Sequence, residues 1–388
     1  MKTVISLITL LTLIVTEAQE ISNNRFGKGV QVMAKDSSFF VKGSFRFQTL
    51  YDGQTTLGSG EWSDKMMIRR SRVKMEGYVY DPRFSFKAEL AVSNRDNGKV
   101  ANETNRAANI VLDAVMKYKF DRNNMELWIG QTKLPGNRER VISSQKLQFV
   151  DRSQLNSKFT IDRGTGVQFR NKSKTAFGVI KQQAAISLGE GRNVTASNVG
   201  GYEYTGRLEY LPFGEFASKG DYFGSDLKRE PKPKLAIGFT WDENIGASKE
   251  QGFKGDYIQE LQNLQTIYID AMFKFKGFSS MLELAERKVI NGNPVGTDEV
   301  GNPIAFITGT AGNLQAGYLF KNNYEIAARF TGIRPENNNW SDDYNVMTLG
   351  FSKYIVGHNL KFQSDVSLIN NDQSDDQFRF RFQAELAF

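Results

Sequence analysis

The chain has 388 residues, enough for two soluble domains or one large β-architecture. Lysine and arginine number 50 against 43 acidic residues, a net charge of +7, and they are spread along the chain rather than gathered in a polybasic block, so nothing points to a nucleic-acid partner. The absence of cysteine excludes disulfides, thiolate metal sites and a cysteine nucleophile, and the single histidine, His358, makes most histidine-based chemistry unavailable.

The first element is MKTVISLITLLTLIVTEAQE. Lys2, the apolar run from Val4 to Val15 and the small Ala18 read as a secretory signal peptide over residues 1–18, too short to span a bilayer as a helix. Residues 19–388 then form one exported domain. After the signal the pattern has period two. Phe84, Phe86, Ala88, Leu90 and Val92 alternate with Ser85, Lys87, Glu89 and Ala91. The same alternation closes the chain in QFRFRFQAELAF, with Phe378, Phe380, Phe382, Ala384, Leu386 and Phe388 on one side. Such segments fall at 29–34, 39–51, 67–80, 83–93, 110–120, 125–131, 165–171, 175–187, 201–211, 234–242, 266–276, 278–287, 311–320, 324–333, 345–355, 359–368 and 377–388. The first is short, and either extends its neighbour or sits apart. A length of about 9–12 residues is what a tilted strand needs to cross a bilayer.

Connections alternate in length. Short turns are expected at 81–82, 121–124, 172–174, near 277, at 321–323 and at 356–358, where His358 reads as a turn residue. Long segments lie at 52–66, 94–109, 132–164, 188–200, 243–265, 288–310, 334–344 and 369–376. An up-and-down barrel with two unlike rims produces this alternation, and a secreted sandwich, the bland alternative, has no reason to. The expected fold is an all-β transmembrane antiparallel barrel of about 16 strands.

Two regions carry a family resemblance. RRSRVKMEGYVYDPRFSFKAELAVS from Arg69, and GQTKLPGNRERVISSQKLQFVDRS from Gly130 followed by DRGTGVQF from Asp162, resemble the phosphate-selective porins O and P. The resemblance implies a 16-stranded outer-membrane barrel of a Gram-negative bacterium, often a homotrimer, with a long loop folded inward and anions passing a constriction of arginines and lysines. The closing Phe388 fits the terminal aromatic by which barrel assembly machinery recognises such chains.

The residues alone lead the same way. If apolar side chains face lipid, the alternate positions face the lumen, and those carry more basic than acidic residues. Arg70, Arg72 and Lys74 stand at i, i+2 and i+4, so all three project from one strand into one space. Segment 132–164 holds Lys133, Arg138, Arg140 and Arg152, and its Leu147, Phe149, Val150, Leu155 and Phe159 argue that it packs against something. The narrowest part of the path is expected where this segment faces the strand of Arg70. No zinc-protease, phosphate-loop or nucleophile-elbow motif appears, and the acidic run at 337–343 reads as solvated loop, so neither catalysis nor a metal or other cofactor is expected. The functional expectation is a porin for small anions, with phosphate not separable from others. The alternative is a structural barrel within a larger outer-membrane complex, its pore incidental or plugged.

Overall fold

The computed structural model describes residues 26–97, 109–120, 124–336, 342–372 and 374–388. The expected signal peptide, part of the turn at 121–124 and most of the run at 337–343 lie outside these. The strands are β1 (Val30–Met33), β2 (Phe39–Thr56), β3 (Ser63–Val79), β4 (Asp81–Ala91), β5 (Val111–Lys119), β6 (Met125–Lys133), β7 (Arg163–Thr175), β8 (Gly178–Ser187) and β9 (Glu203–Leu211). They continue with β10 (Lys234–Lys249), β11 (Tyr257–Phe275), β12 (Phe278–Ile290), β13 (Val295–Thr297), β14 (Pro303–Ala305), β15 (Gly309–Leu319), β16 (Tyr324–Pro335), β17 (Tyr344–Tyr354), β18 (Leu360–Asn371) and β19 (Gln377–Ala387).

One sheet contains 17 of these strands, and β13 and β14 form a separate hairpin. The last strand returns to β2, from Gln377 opposite Thr56 to Ala387 opposite Arg46, which closes the sheet. Beyond the reach of β19, the short β1 pairs with the start of β2, Val30 opposite Gly43. The wall is therefore a closed antiparallel barrel of 16 strands with β1 as an appendage. Closure leaves no unpaired backbone edge, the condition for a sheet to lie in lipid. Phe388 extends the closing seam: it exchanges two backbone hydrogen bonds with Phe45, at 2.8 and 2.9 Å, and packs its ring 5.6 Å from that of Phe45.

The barrel is inside out relative to a water-soluble core. On β17 the outward Met347, Leu349 and Phe351 are exposed, while the inward Thr348 and Ser352 are buried. Charged side chains point inward for a simple reason. A lysine or arginine facing lipid at mid-depth costs about 2–4 kcal/mol.

Three sequence expectations change. The turn placed at 172–174 sits at 176–177, because β7 runs on to Thr175. The long segments 52–66 and 243–265 are largely strand, leaving only 57–62 and 250–256 as connections. The third change matters most. The β9–β10 connection, 212–233, starts from the rim of short turns, is itself long, and folds into the lumen. Its Phe216, Asp221, Ser225, Asp226 and Glu230 are all buried.

Candidate functional site

Two segments enter the barrel from opposite rims and meet. Segment 134–162, from the long-loop rim, carries two short helices (Arg138–Val141 and Gln154–Phe159) and buries Leu147, Phe149, Val150, Leu155 and Phe159. Wall glycines let it approach closely: a Cβ on Gly350 would stand 2.8 Å from the Phe149 ring. Gln148 reaches Ser279 at 2.9 Å and Glu325 at 2.8 Å on the wall. Segment 212–233 comes from below. Its Gly224 N–H donates to the Lys146 carbonyl at 2.8 Å, joining the two inserts.

Inserted chain brings carbonyls that have left water, and each needs a donor. Cations supply it. Lys274 donates to the carbonyls of Gly220, Phe223 and Ser225 at 2.8–2.9 Å. Arg287 donates to Phe159 and Thr160 at 2.6 and 3.0 Å.

Three of the seven residues singled out in the sequence share this supporting role, and the other four meet side chains. Lys133 donates to the carbonyls of Arg140 at 2.6 Å and Ile142 at 3.2 Å, and Arg152 to those of Glu139 and Ile142 at 3.0 and 2.7 Å. Arg138 is fully buried, bonded to Asp270 at 2.6 Å, Glu209 at 3.3 Å and the Asp221 carbonyl at 3.3 Å. Arg207 bonds the same two carboxylates. Arg138 therefore has no surface open to the lumen and ties the loop to β9 and β11. Arg140 pairs with Asp162 at 2.6 Å. Arg70 is buried between Gln48 and Asp151, both at 2.8 Å, while Arg72 bonds Asp96 at 2.5 Å and Glu89 at 3.0 Å. Segment 134–162 thus does meet β3, through Asp151, while most of its body lies on the opposite wall. Burial alone would raise the Asp151 carboxyl, but Arg69 and Arg70 outweigh it and hold the group well below the usual carboxylate range. Lys74 differs from the others: its side chain keeps 31% exposure beside Glu76.

Lys74 belongs to a different neighbourhood, the short-turn half of β2–β8. Here Lys42, Lys74, Lys87 and Lys172 keep 24–37% of their side chains exposed, whereas Lys361 on the far wall keeps none. Across three adjacent strands Lys117, Trp128 and Arg170 share one inward face, with Lys117 directly opposite Trp128. The Lys117 ammonium and the Arg170 guanidinium each lie 3.9 Å from the centre of the Trp128 ring. Lys146, from the inserted loop, lies 3.9 Å over the Phe223 ring. Among the described residues no carboxylate comes within ion-pair distance of these three cations. The two charges on Trp128 can be no more than about 8 Å apart, a repulsion of at least about 2 kcal/mol at an effective dielectric of about 20. Two ring contacts of about 0.5–2 kcal/mol each offset it.

Trp128 was missed as a site residue, although its signal is in the sequence. In MELWIGQTK it shares a face with Glu126, and a tryptophan on the polar face of a barrel strand is out of place unless something polar needs it. His358 does lie in a turn but is buried, between Phe223 at 5.5 Å and Tyr354 at 5.3 Å, and neither ring nitrogen has a hydrogen-bond partner among the described residues. Burial, and the cations Lys361, Lys146 and Lys274, hold it well below its ordinary value.

A family model of the phosphate-selective porins O and P matches residues 41–248, more than half of the chain. The chain belongs to this family. That places it among outer-membrane porins, in which short turns mark the periplasmic rim. A protein of Aquifex aeolicus (strain VF5), described as uncharacterized, is 24% identical over 285 residues, covering 67% of the porin and 63% of that relative; the porin therefore spans less than two thirds of its length. Among solved structures, an anion-selective porin from Comamonas acidovorans superposes with a TM-score of 0.57 at 11% identity, over 90% of this chain and 100% of that one. A loop-deletion mutant of the Vibrio cholerae outer-membrane protein OmpT gives 0.56 at 12% identity, over 90% and 100%. The outer-membrane channel DcaP of Acinetobacter baumannii gives 0.55 at 11%, over 92% and 99%. At such identities the likeness is one of fold.

Proposed function

We propose that the porin passes small anions, phosphate among them, along the β2–β8 side of its lumen. One observation carries this reading: Lys117, Lys146 and Arg170 rest on aromatic rings instead of carboxylates, so their charge is held in place without being cancelled. The family description, phosphate-selective, supports the same reading. Within it, Lys74 lies on the path. Arg70, Lys133, Arg140 and Arg152 shape its narrow part by holding segment 134–162, Arg72 holds Asp96 and Glu89, and Arg138 anchors that segment from behind. The test is the reversal potential of the purified porin in planar bilayers under a salt gradient, with chloride and then inorganic phosphate. Anion preference should weaken with added salt, since the Debye length falls from about 10 Å at 0.1 M to about 3 Å at 1 M. Preference for cations would refute the reading.

A second reading has its own support. The two inserts that meet at Gly224 and Lys146 fill much of the far side of the lumen, as a plugged structural subunit of a larger outer-membrane complex would require. Absence of any conductance would favour it. The proposal also takes in a homotrimer, a lipid-facing belt of outer-membrane lipids and recognition of Phe388 by the assembly machinery. Cross-linking in native membranes, and the membrane yield of a chain lacking Phe388, test the first and last of these.

A further inference from the structure

Resting on the anion-path reading, we propose that Trp128 is a specificity-determining positioning residue: it holds Lys117 and Arg170 as a preorganised pair of uncancelled cations, a subsite for small oxyanions in the periplasmic half of the lumen. The geometry supports this from three sides. First, the ring stands on β6 between a cation from β5 and one from β7, each at 3.9 Å, so two long side chains that would otherwise sweep the lumen have one shared rest. A selective site needs its ligands held in place.

Second, the nearest acid is occupied. Glu126 stands in register with Arg170 on one side and with Lys119 on the other, so it is the natural partner to neutralise them. Instead its carboxylate accepts the Trp128 indole N–H at 2.7 Å. That bond fixes the plane of the ring, and the Arg170 guanidinium donates to Gln168 at 2.7 and 3.3 Å. Third, the arrangement differs from cations such as Lys274 and Arg138, which are spent on carbonyls and carboxylates. Where cations hold inserted chain, their partners are carbonyls or carboxylates, which use up donor capacity. An aromatic face takes none of the N–H donors aimed elsewhere, and so leaves them for an oxyanion.

The experiment compares three forms of the full porin in planar bilayers. Trp128→Leu keeps an inward apolar side chain without a π face, and its anion-to-cation permeability ratio should fall about threefold or more. Trp128→Phe keeps a ring but loses the indole N–H that occupies Glu126, so its ratio should fall between those of wild type and Trp128→Leu. Fluorinated tryptophan, incorporated throughout the wild-type chain, weakens the ring's attraction for cations at nearly constant shape. Anion preference should fall with each added fluorine in wild type, and stay flat in the Trp128→Phe background, where the other tryptophans report alone. This arm stands even if Trp128→Leu fails to assemble. Equal permeability ratios in wild type, Trp128→Leu and fluorinated wild type would overturn the role of Trp128 while leaving the anion path intact. A wild-type porin without anion preference would overturn the path itself.

Discussion

The Arg138 lattice and the Trp128 clamp are both pairs of cations held together in one lumen, yet they do opposite things with charge. In the lattice, Arg138 and Arg207 share the buried carboxylates of Glu209 and Asp270, so each positive charge is matched by a negative one, as Lys181 beside them is by Asp221. In the clamp, Lys117 and Arg170 share a neutral ring and both charges remain. The lesson concerns how lumen charge is counted. A basic residue facing inward contributes to the field of the pore only if whatever fixes it leaves its charge standing.

The largest expected effect that could break this comparison is on the lattice. Replacing Arg138 by Met leaves Asp270 and Glu209 short of a buried partner, and removing one member of such a pair costs about 3–5 kcal/mol. Thermal unfolding should show that loss, and single-channel conductance should rise as segment 134–162 comes free of the wall. If stability is unchanged and only selectivity moves, Arg138 is on the path after all. Next in size is Lys117→Glu in the clamp. It should lower the anion-to-cation ratio far more than Arg140→Glu, because Arg140 is already paired with Asp162. Similar shifts from the two changes would erase the distinction.

Acid should loosen the packed side. His358 is buried against Phe223 of segment 212–233, faced by Lys146 from the other insert, Lys361 from β18 and Lys274 from β11, while the nearby Glu325 is bonded to Ser225 and Tyr354. Its lowered pKa means the folded state favours the neutral ring. The associated stability is present above about pH 6.5 and is lost as pH falls toward the folded value, at about 1.4 kcal/mol per unit. The midpoint of thermal unfolding measured between pH 7 and pH 5 should drop more in wild type than in His358→Phe. The smallest effect belongs to Lys146. Burial first, and then Lys74, lower its ammonium to about 8. Anion preference should therefore decline modestly as pH rises through about 8, and Lys146→Arg should flatten that decline; an equal decline in both would place the titrating group elsewhere.

Much was settled by the chain alone. Alternation with period two placed every wall strand, because lipid outside and water inside impose opposite demands on neighbouring side chains, and the demand is local. QFRFRFQAELAF needed no partner to declare an apolar face running to Phe388. What alternation cannot carry is the identity of an inward residue's partner. That Arg138 would find Asp270, 132 residues away, or that Lys274 would hold three carbonyls of segment 212–233, depends on which strands become neighbours and which connections turn inward. The β9–β10 insert was overlooked because its length broke the rule of short turns on that rim, and its buried acids give no local sign of being covered. Whether a given cation serves the pore or the packing was decided only by the closed barrel. Its walls bring distant groups within hydrogen-bond reach, and an electrostatic partner is a matter of distance in space rather than along the chain.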